Sequence, residues 1–151
     1  MKRNIILIAI LLLITGTFNL EAQVKKYSTQ DDEVSFDGND LTEYQNKKVV
    51  KGKKEHILEY DGLTLLFASA ENRNKFQSNP DKYLPAYKGW CATAVANGSL
   101  YKPDYSHFKI QDEKLLFFEV RAFFNGKTAC DKYPVIHMIQ SDEKFKSLAK
   151  N

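Results

Sequence analysis

The chain has 151 residues, of which 43% are hydrophobic, so it is long and apolar enough to bury one compact core. Its 22 Lys and Arg residues nearly balance its 19 Asp and Glu residues. This near-balance argues against a nucleic-acid partner, because neutralising phosphates requires a clustered excess of cations.

The first 22 residues have the pattern of a secretory signal peptide. A short basic stretch, Met1-Lys2-Arg3, precedes an apolar run over residues 5–14, which is too short for a bilayer crossing of about 20 residues. Small Ala22 is suitable as the last residue of the signal. We therefore expect an exported protein, periplasmic or secreted, with no stable membrane insertion after cleavage. An uncleaved membrane anchor is the alternative.

Residues 23–40 are polar and acidic and show no sustained helical or strand period. We expect them to form an N-terminal arm that leads into a single domain over residues 41–151. The basic cluster over residues 47–54 contains Gly52 and no aromatic residue, which favours a solvated loop over a site for a polyanion.

A hairpin followed by a short helix is predicted next. Residues 56–67 form two β-prone runs separated by Asp61-Gly62, the strongest short-range hairpin signal, since a type I′ turn needs positive φ at both central residues. Ser69 predicts the N-cap of a helix anchored by Phe76. This helix should end at Asn79-Pro80, because the residue before proline disfavours the α conformation.

A small-residue helix and a second hairpin follow. Residues 91–96 are small and end at Asn97-Gly98, a C-cap signature, so we expect a short helix packed closely against the sheet. Residues 107–110 and 115–120 predict the second hairpin. Its run over residues 115–118 is apolar on both faces, as in a strand covered on two sides.

The tail is mixed. Residues 133–140 predict a further strand, and residues 142–149 predict a C-terminal helix capped by Ser141. No internal repeat is evident. The whole pattern predicts an α+β fold, with a small antiparallel sheet of two hairpins and short helices packed on one face.

Six motifs follow one another through the middle of the chain. They are Lys51-Gly52-Lys53-Lys54-Glu55, Tyr60-Asp61-Gly62, Phe67-Ala68-Ser69, Asn72 with Phe76, Asn79-Pro80 with Tyr83, and Gly89-Trp90-Cys91-Ala92. In this order and spacing they resemble the exported YHS-domain proteins, whose usual Gly-Tyr-Cys-Ala has Trp90 in place of the tyrosine here. The resemblance spans residues 41–118, with gaps, and implies a YHS-like domain.

The resemblance also implies a metal site. YHS domains occur attached to copper-transporting ATPases and some hydroxylases, and are presumed to bind metal through a Cys-Ser-x-x-Cys-like element at a strand-to-helix junction. Thiolates there would suit copper(I) or zinc(II), because soft sulfur ligands select these ions. The matching positions are Ala68 and Asn72, neither of which can replace a thiolate. We expect this site to be lost and the fold to survive.

Cys91 and Cys130 are the two cysteines of the chain. In an oxidising compartment two cysteines most often pair, which favours a disulfide. Two unpaired structural thiols, or a thiol with a metal or redox role, are the alternatives.

A small ligand pocket is predicted around Cys91, lined by Tyr87, Trp90 and Tyr101. Gly89 would let the backbone approach closely, and the N-terminus of the following small helix would stabilise a Cys91 thiolate.

The histidines lack metal-ligand spacing. His56 and His107 lie in predicted strands and should be surface or hydrogen-bonded residues. Imidazole and thioether both bind copper, which makes Cys91, His137 and Met138 candidates for a copper site. Adjacent strand residues would, however, point to opposite faces.

No phosphate-binding glycine loop, paired-carboxylate motif or nucleophile with a neighbouring base is evident, so we do not expect an enzyme. We expect a non-catalytic exported protein that binds a metal, copper or zinc, or a small ligand. One alternative is a structural or protein-interaction module held by a Cys91–Cys130 disulfide. Another is a thiol-dependent enzyme that uses Cys91.

Overall fold

The structure is a computed structural model that describes residues 26–29 and 31–150. The predicted signal peptide, residues 1–22, lies outside the described residues. The strands and helices are β1 (Lys53–Tyr60), β2 (Leu63–Phe67), α1 (Ala70–Ser78), α2 (Pro80–Tyr83), α3 (Ala92–Ala96), β3 (Asp104–Gln111), β4 (Lys114–Phe118), β5 (Val120–Arg121), β6 (Phe124–Asn125), α4 (Gly126–Lys132) and α5 (Pro134–Lys150). These elements confirm the predicted α+β class.

Within the described residues, the strands pair as three separate two-stranded antiparallel sheets, β1 with β2, β3 with β4, and β5 with β6. Both predicted hairpins are present, but they do not join into one sheet. β4 instead contacts the preceding chain through single parallel bridges, Pro85 to Leu115 and Cys91 to Phe117. In the part of the chain that the structure describes, no helix is long and apolar enough to cross a membrane.

The first hairpin and its helix form as predicted. Asp61 and Gly62 have φ angles of 49° and 74°, as a type I′ turn requires. Ser69 Oγ accepts a hydrogen bond from the Asn72 N–H at 3.1 Å and so caps α1. Phe76 is fully buried and anchors this helix against the hairpin.

The second hairpin turns at Asp112 and Glu113, whose φ angles are 49° and 62°. β4 is buried on both faces, as its apolar run predicts. Leu115 and Phe117 pack into the core that contains the first hairpin, whereas Leu116 and Phe118 pack into a second cluster with residues of α3, α4 and α5. This strand therefore separates two apolar layers.

The two hairpins share one pairing pattern, displaced by 51 residues along the chain. Lys53 pairs with Phe67 in the first hairpin, and Asp104 pairs with Phe118 in the second. The same displacement relates all the other pairs. Each hairpin also has one shift of strand register, between Lys53 and Ile57 in the first and between Asp104 and Phe108 in the second, and these positions differ by 51 residues as well.

The displacement also holds for backbone conformation, both in the hairpin turns and outside them. Positive φ angles occur at Phe36, Asp37, Gly38, Lys47, Asp61 and Gly62, and again 51 residues later at Tyr87, Lys88, Gly89, Gly98, Asp112 and Glu113. These residues are all the described positions with positive φ, a conformation that is uncommon outside glycine. Residues 36–68 and 87–119 are therefore two copies of one structural unit, here named the first unit and the second unit.

The expectation that the chain has no internal repeat is accordingly wrong. Few residues are identical between the units, which hides the repeat in the sequence. The identical pairs are Gly38 and Gly89, Thr42 and Thr93, Asn46 and Asn97, Lys51 and Lys102, His56 and His107, Asp61 and Asp112, Leu65 and Leu116, and Phe67 and Phe118.

One core joins the two units. The ring centroid of Phe36 lies 5.4 Å from that of Tyr105 and 6.0 Å from that of Phe117. Tyr44 Oη donates a hydrogen bond to the Tyr105 carbonyl at 2.8 Å. Phe36 and Asp40 are fully buried, so the end of the segment expected to be an arm, residues 23–40, is part of this core.

The strand predicted over residues 133–140 does not form, because these residues belong to the long helix α5. Met138, Ser141 and Phe145 recur at helical spacing and turn toward the second cluster. Ser141 is not a cap but lies inside the helix, where its hydroxyl donates to the carbonyls of His137 at 2.8 Å and Ala92 at 3.1 Å. The helix predicted over residues 142–149 is confirmed as the second half of α5.

Candidate functional site

The strand-to-helix junction of the first unit holds a hydrogen-bonded carboxylate where the resemblance expects a thiolate pair. Asp40 Oδ2 accepts hydrogen bonds from the Ala68 N–H and from Asn72 Nδ2, both at 2.8 Å. Its Oδ1 accepts from the N–H and the hydroxyl of Thr42, at 2.9 and 2.7 Å. Four donors thus compensate the burial of this side chain.

Asn72 connects two carboxylates at this junction. Its Nδ2 also donates to Glu43 Oε1 at 2.9 Å. This hydrogen bond, followed by one from Asn46, holds the pKa of Glu43 below its ordinary value. The residue in place of the second cysteine is therefore a structural bridge.

The first junction offers no thiolate to a metal ion, since Ala68 and Asn72 occupy the two positions. Within residues 26–29 and 31–150, no three His, Cys, Asp or Glu side chains are grouped so that they could hold a metal ion.

Cys91 lies directly before α3 and is fully buried. Its Sγ accepts a hydrogen bond from the Glu119 N–H at 3.3 Å, and a Cβ atom on Gly126 would lie 3.5 Å from it. Burial raises the pKa of the Cys91 thiol, because a thiolate would lose its hydration here. The expectation of a stabilised thiolate is therefore wrong: desolvation outweighs the N–H groups at the start of this five-residue helix.

Cys130 in α4 is fully buried as well, and burial raises its pKa. Both cysteines are free thiols, so the Cys91–Cys130 disulfide is not present. The arrangement corresponds to the alternative of two unpaired structural thiols.

The aromatic residues expected to line one pocket around Cys91 each have different hydrogen-bond partners. The buried Tyr87 donates its hydroxyl to Asp142 Oδ1 at 2.8 Å. Trp90 Nε1 donates to the Lys26 carbonyl at 3.1 Å. Tyr101 is 46% exposed and accepts the Cys91 N–H with its carbonyl at 3.0 Å.

His137 and Met138 lie on α5 rather than on a strand. The Met138 sulfur is buried, 3.9 Å from the Tyr87 hydroxyl. His137 Nδ1 is buried without a hydrogen-bond partner, and burial lowers the pKa of this imidazole. Neighbouring side chains on a helix point about 100° apart, so these two do not converge on one ion.

A cavity of about 230 Å³ lies in the second unit, next to the residues that follow β4. Its polar and aromatic lining includes Asn97, Ser99, Tyr101, Glu119, Arg121 and Phe124. Tyr101 lines this cavity, whereas Tyr87, Trp90 and Cys91 do not.

A fixed pair of opposite charges borders the cavity. Arg121 donates to Glu119 Oε2 from Nε at 2.9 Å and from Nη2 at 2.8 Å. The guanidinium carbon also lies 4.6 Å from the centroid of the Tyr101 ring, within cation–π range. Glu119 is only 7% exposed, so the buried carboxylate fixes the position of the ion pair.

These features define a small α+β protein built from two copies of a hairpin unit, with a hydrogen-bonded carboxylate at the junction of the first copy and an open cavity in the second. The family model of the YHS domain matches residues 41–87, and this part of the chain is therefore a YHS domain. The match confirms the resemblance over residues 41–87. No curated protein and no solved structure was found to match the chain.

Sequence reasoning misses four residues of these two sites: Asp40, Glu43, Glu119 and Arg121. An available signal for Asp40 is Thr42 two residues later, since aspartate often accepts the N–H of that position in an Asx turn. Glu119 and Arg121 alternate directly after an apolar strand, which places both on one face of an extended chain.

Proposed function

We propose that this protein is a non-catalytic, exported binding protein whose ligand is a small organic molecule taken up in the cavity of the second unit. The carrying observation is the Glu119–Arg121 pair, which presents fixed polar groups beside the aromatic rings of Tyr101 and Phe124. A few oriented polar groups among apolar walls are the usual composition of a ligand pocket.

Three further observations support parts of this proposal. Cys91 is buried with a raised pKa, which disfavours a role as nucleophile. The basic start of the sequence and the apolar run over residues 5–14 support export. Replacement of the thiolate pair by Ala68 and Asn72 favours an organic ligand over copper or zinc.

Native mass spectrometry of the protein, purified without denaturation from the cells that make it, tests this function. We expect a non-covalent adduct of organic mass that is lost on denaturation. Stoichiometric copper or zinc in place of that adduct, or the absence of any adduct, would contradict the proposal.

A second candidate, a protein-interaction module, is favoured by apolar residues at the surface. Phe123 is fully exposed, and Val135, Ile136 and Ile139 on α5 are each more than half exposed. Exposed apolar groups of this kind mark many protein interfaces. Light scattering coupled to gel filtration tests it: self-association that Ile136→Lys removes would favour this role.

A further inference from the structure

The cavity of the second unit should select ligands by their charge, because one negative and one positive side chain border it. The Glu119 carboxylate and the Arg121 guanidinium are in direct contact, so their combined charge is zero. A ligand that carries only a negative charge would be repelled by Glu119, and a ligand that carries only a positive charge would be repelled by Arg121. Either ion would gain from one group and be repelled by the other at similar distance.

A ligand that carries both charges avoids this conflict. Its carboxylate can accept hydrogen bonds from Arg121, whose bond to Glu119 uses two of the five N–H groups of a guanidinium. Its ammonium group can donate to Glu119. The local charge then remains zero, and both of the protein's charged groups stay paired.

The rest of the lining has an apolar part and a polar part. The rings of Tyr101 and Phe124 and the methyl group of Ala94 offer apolar contact, while Asn97 and Ser99 offer hydrogen bonds. The volume of about 230 Å³ lies below the roughly 300–1,000 Å³ that drug-sized ligands occupy, so the ligand must be small.

We propose that the cavity binds a small zwitterion, a free α-amino acid with an apolar side chain. This inference rests on the proposed function and names its ligand class. The carboxylate of the amino acid faces Arg121, its ammonium group faces Glu119, and its side chain packs against Tyr101 and Phe124.

The first unit shows why this site belongs to the second unit alone. The corresponding cavity, of about 180 Å³, is lined by Thr42 and Asn46, the counterparts of Thr93 and Asn97. The position 51 residues before Glu119 is Ala68, which supplies no charge, and the charged residues of this lining, Lys75 and Lys82, are both cationic. The pair of opposite charges is thus particular to the second unit.

Isothermal titration of the full chain with three compounds that share one isobutyl group tests the proposal. The compounds are L-leucine, 4-methylpentanoate, which lacks the ammonium group, and 3-methylbutylamine, which lacks the carboxylate. We expect L-leucine to bind at least tenfold more tightly than either singly charged compound.

Two variants locate the site. Arg121→Gln should weaken the binding of L-leucine at least tenfold. Lys127→Gln should not change it, because Lys127 pairs with Asp131 on α4 and does not line the cavity. Circular dichroism measures whether both variants are folded. Tyr101→Ala should also weaken the binding of L-leucine. It replaces Arg121→Gln in the test if Arg121→Gln does not fold.

Equal affinities for the three compounds, or unchanged leucine affinity in Arg121→Gln and Tyr101→Ala, would overturn the proposal. If none of the three binds while native mass spectrometry shows a co-purified organic molecule, the ligand class is wrong and the proposed function stands. If none binds and no adduct is found, both are wrong.

Discussion

Asp40 and Cys91 occupy the same place in the two units. The Asp40 carboxylate accepts the N–H of Ala68, the first residue after β2, at 2.8 Å. The Cys91 thiol accepts the N–H of Glu119, the first residue after β4, at 3.3 Å. Both acceptors are fully buried, and each precedes a short helix, the 3-10 helix Glu43–Asn46 after Asp40 and α3 after Cys91. The motif residue Cys91 therefore has a structural role that its counterpart performs with a carboxylate.

Removing either acceptor should destabilise the fold, and removing Asp40 should cost more. Asp40→Ala removes the shared acceptor of four hydrogen bonds, and of the four donors only Asn72 Nδ2 keeps another partner, Glu43, so we expect a loss of about 3 kcal/mol or more in the free energy of unfolding. Cys91→Ala removes one weak sulfur acceptor and should cost about 1–2 kcal/mol. Urea unfolding of both variants measures these losses. A larger loss for Cys91→Ala than for Asp40→Ala would contradict this predicted order.

Both thiols should be protected by the fold rather than by a bond. A thiol-alkylating reagent should leave the native protein unlabelled, since Cys91 and Cys130 are fully buried. In denaturant without reductant, intact mass should show two labels, because the thiols are free. Labels that require a reductant as well as denaturant would establish the disulfide instead.

The two hairpin turns give a matched pair of substitutions. Gly62→Val puts a β-branched residue at a φ of 74° and should cost about 1 kcal/mol or more. Glu113→Gly, at the counterpart position with a φ of 62°, relieves strain and should stabilise by about 0.5 kcal/mol. Thermal melts of both variants test the type I′ turns, which unchanged melting temperatures would contradict.

Zinc(II) or copper(I) should not bind at the first junction of the wild-type chain, where Ala68 and Asn72 supply no thiolate. The double substitution Ala68→Cys and Asn72→Cys should create a zinc site, because two thiolates then meet at the start of α1. Competition with a chromophoric chelator measures the affinity, and Ala68→Cys alone is the control, expected at least tenfold weaker. Tight binding by wild type that Asn72→Ala abolishes would show that a site survives.

The hydrogen bond from Asn72 to Glu43 should contribute to acid stability. Because the folded protein lowers the pKa of Glu43, its contribution is present above the ordinary value of 4.5 and is lost as the pH falls through the lower folded pKa. Glu43→Gln should therefore be less stable than wild type at pH 7 and equal to it near pH 2. A difference that does not vary over this range, measured by urea unfolding, would show that Glu43 does not contribute in this way.

Local chemistry predicts most elements of the fold. Asp61-Gly62, Ser69, Asn79-Pro80 and Asn97-Gly98 determine turns, caps and breaks through their own backbone preferences, and the structure confirms each of them. α5 is different, because β-branched Val135 and Ile136 favour a strand. Packing of Met138 and Ser141 against α3 overrides that preference.

The repeat and the sites depend on contacts that a linear pattern does not contain. Glu113 takes a left-handed conformation without being glycine or asparagine, so its turn carries no residue signal. Asp40 reaches Ala68 and Asn72 across 28 and 32 residues. The Glu119–Arg121 pair is local, but the cavity beside it also needs Asn97 and Tyr101 from an earlier part of the chain.

The aromatic core between the units limits the addition of further copies of the unit to this fold. In open solenoids each repeat presents a free face to the next, so copies can be added at the ends. Here Phe36 and Tyr44 of the first unit are enclosed by Tyr105 and Phe117 of the second. A third copy would find this docking face already filled, so the duplication forms a closed pair rather than the start of an array.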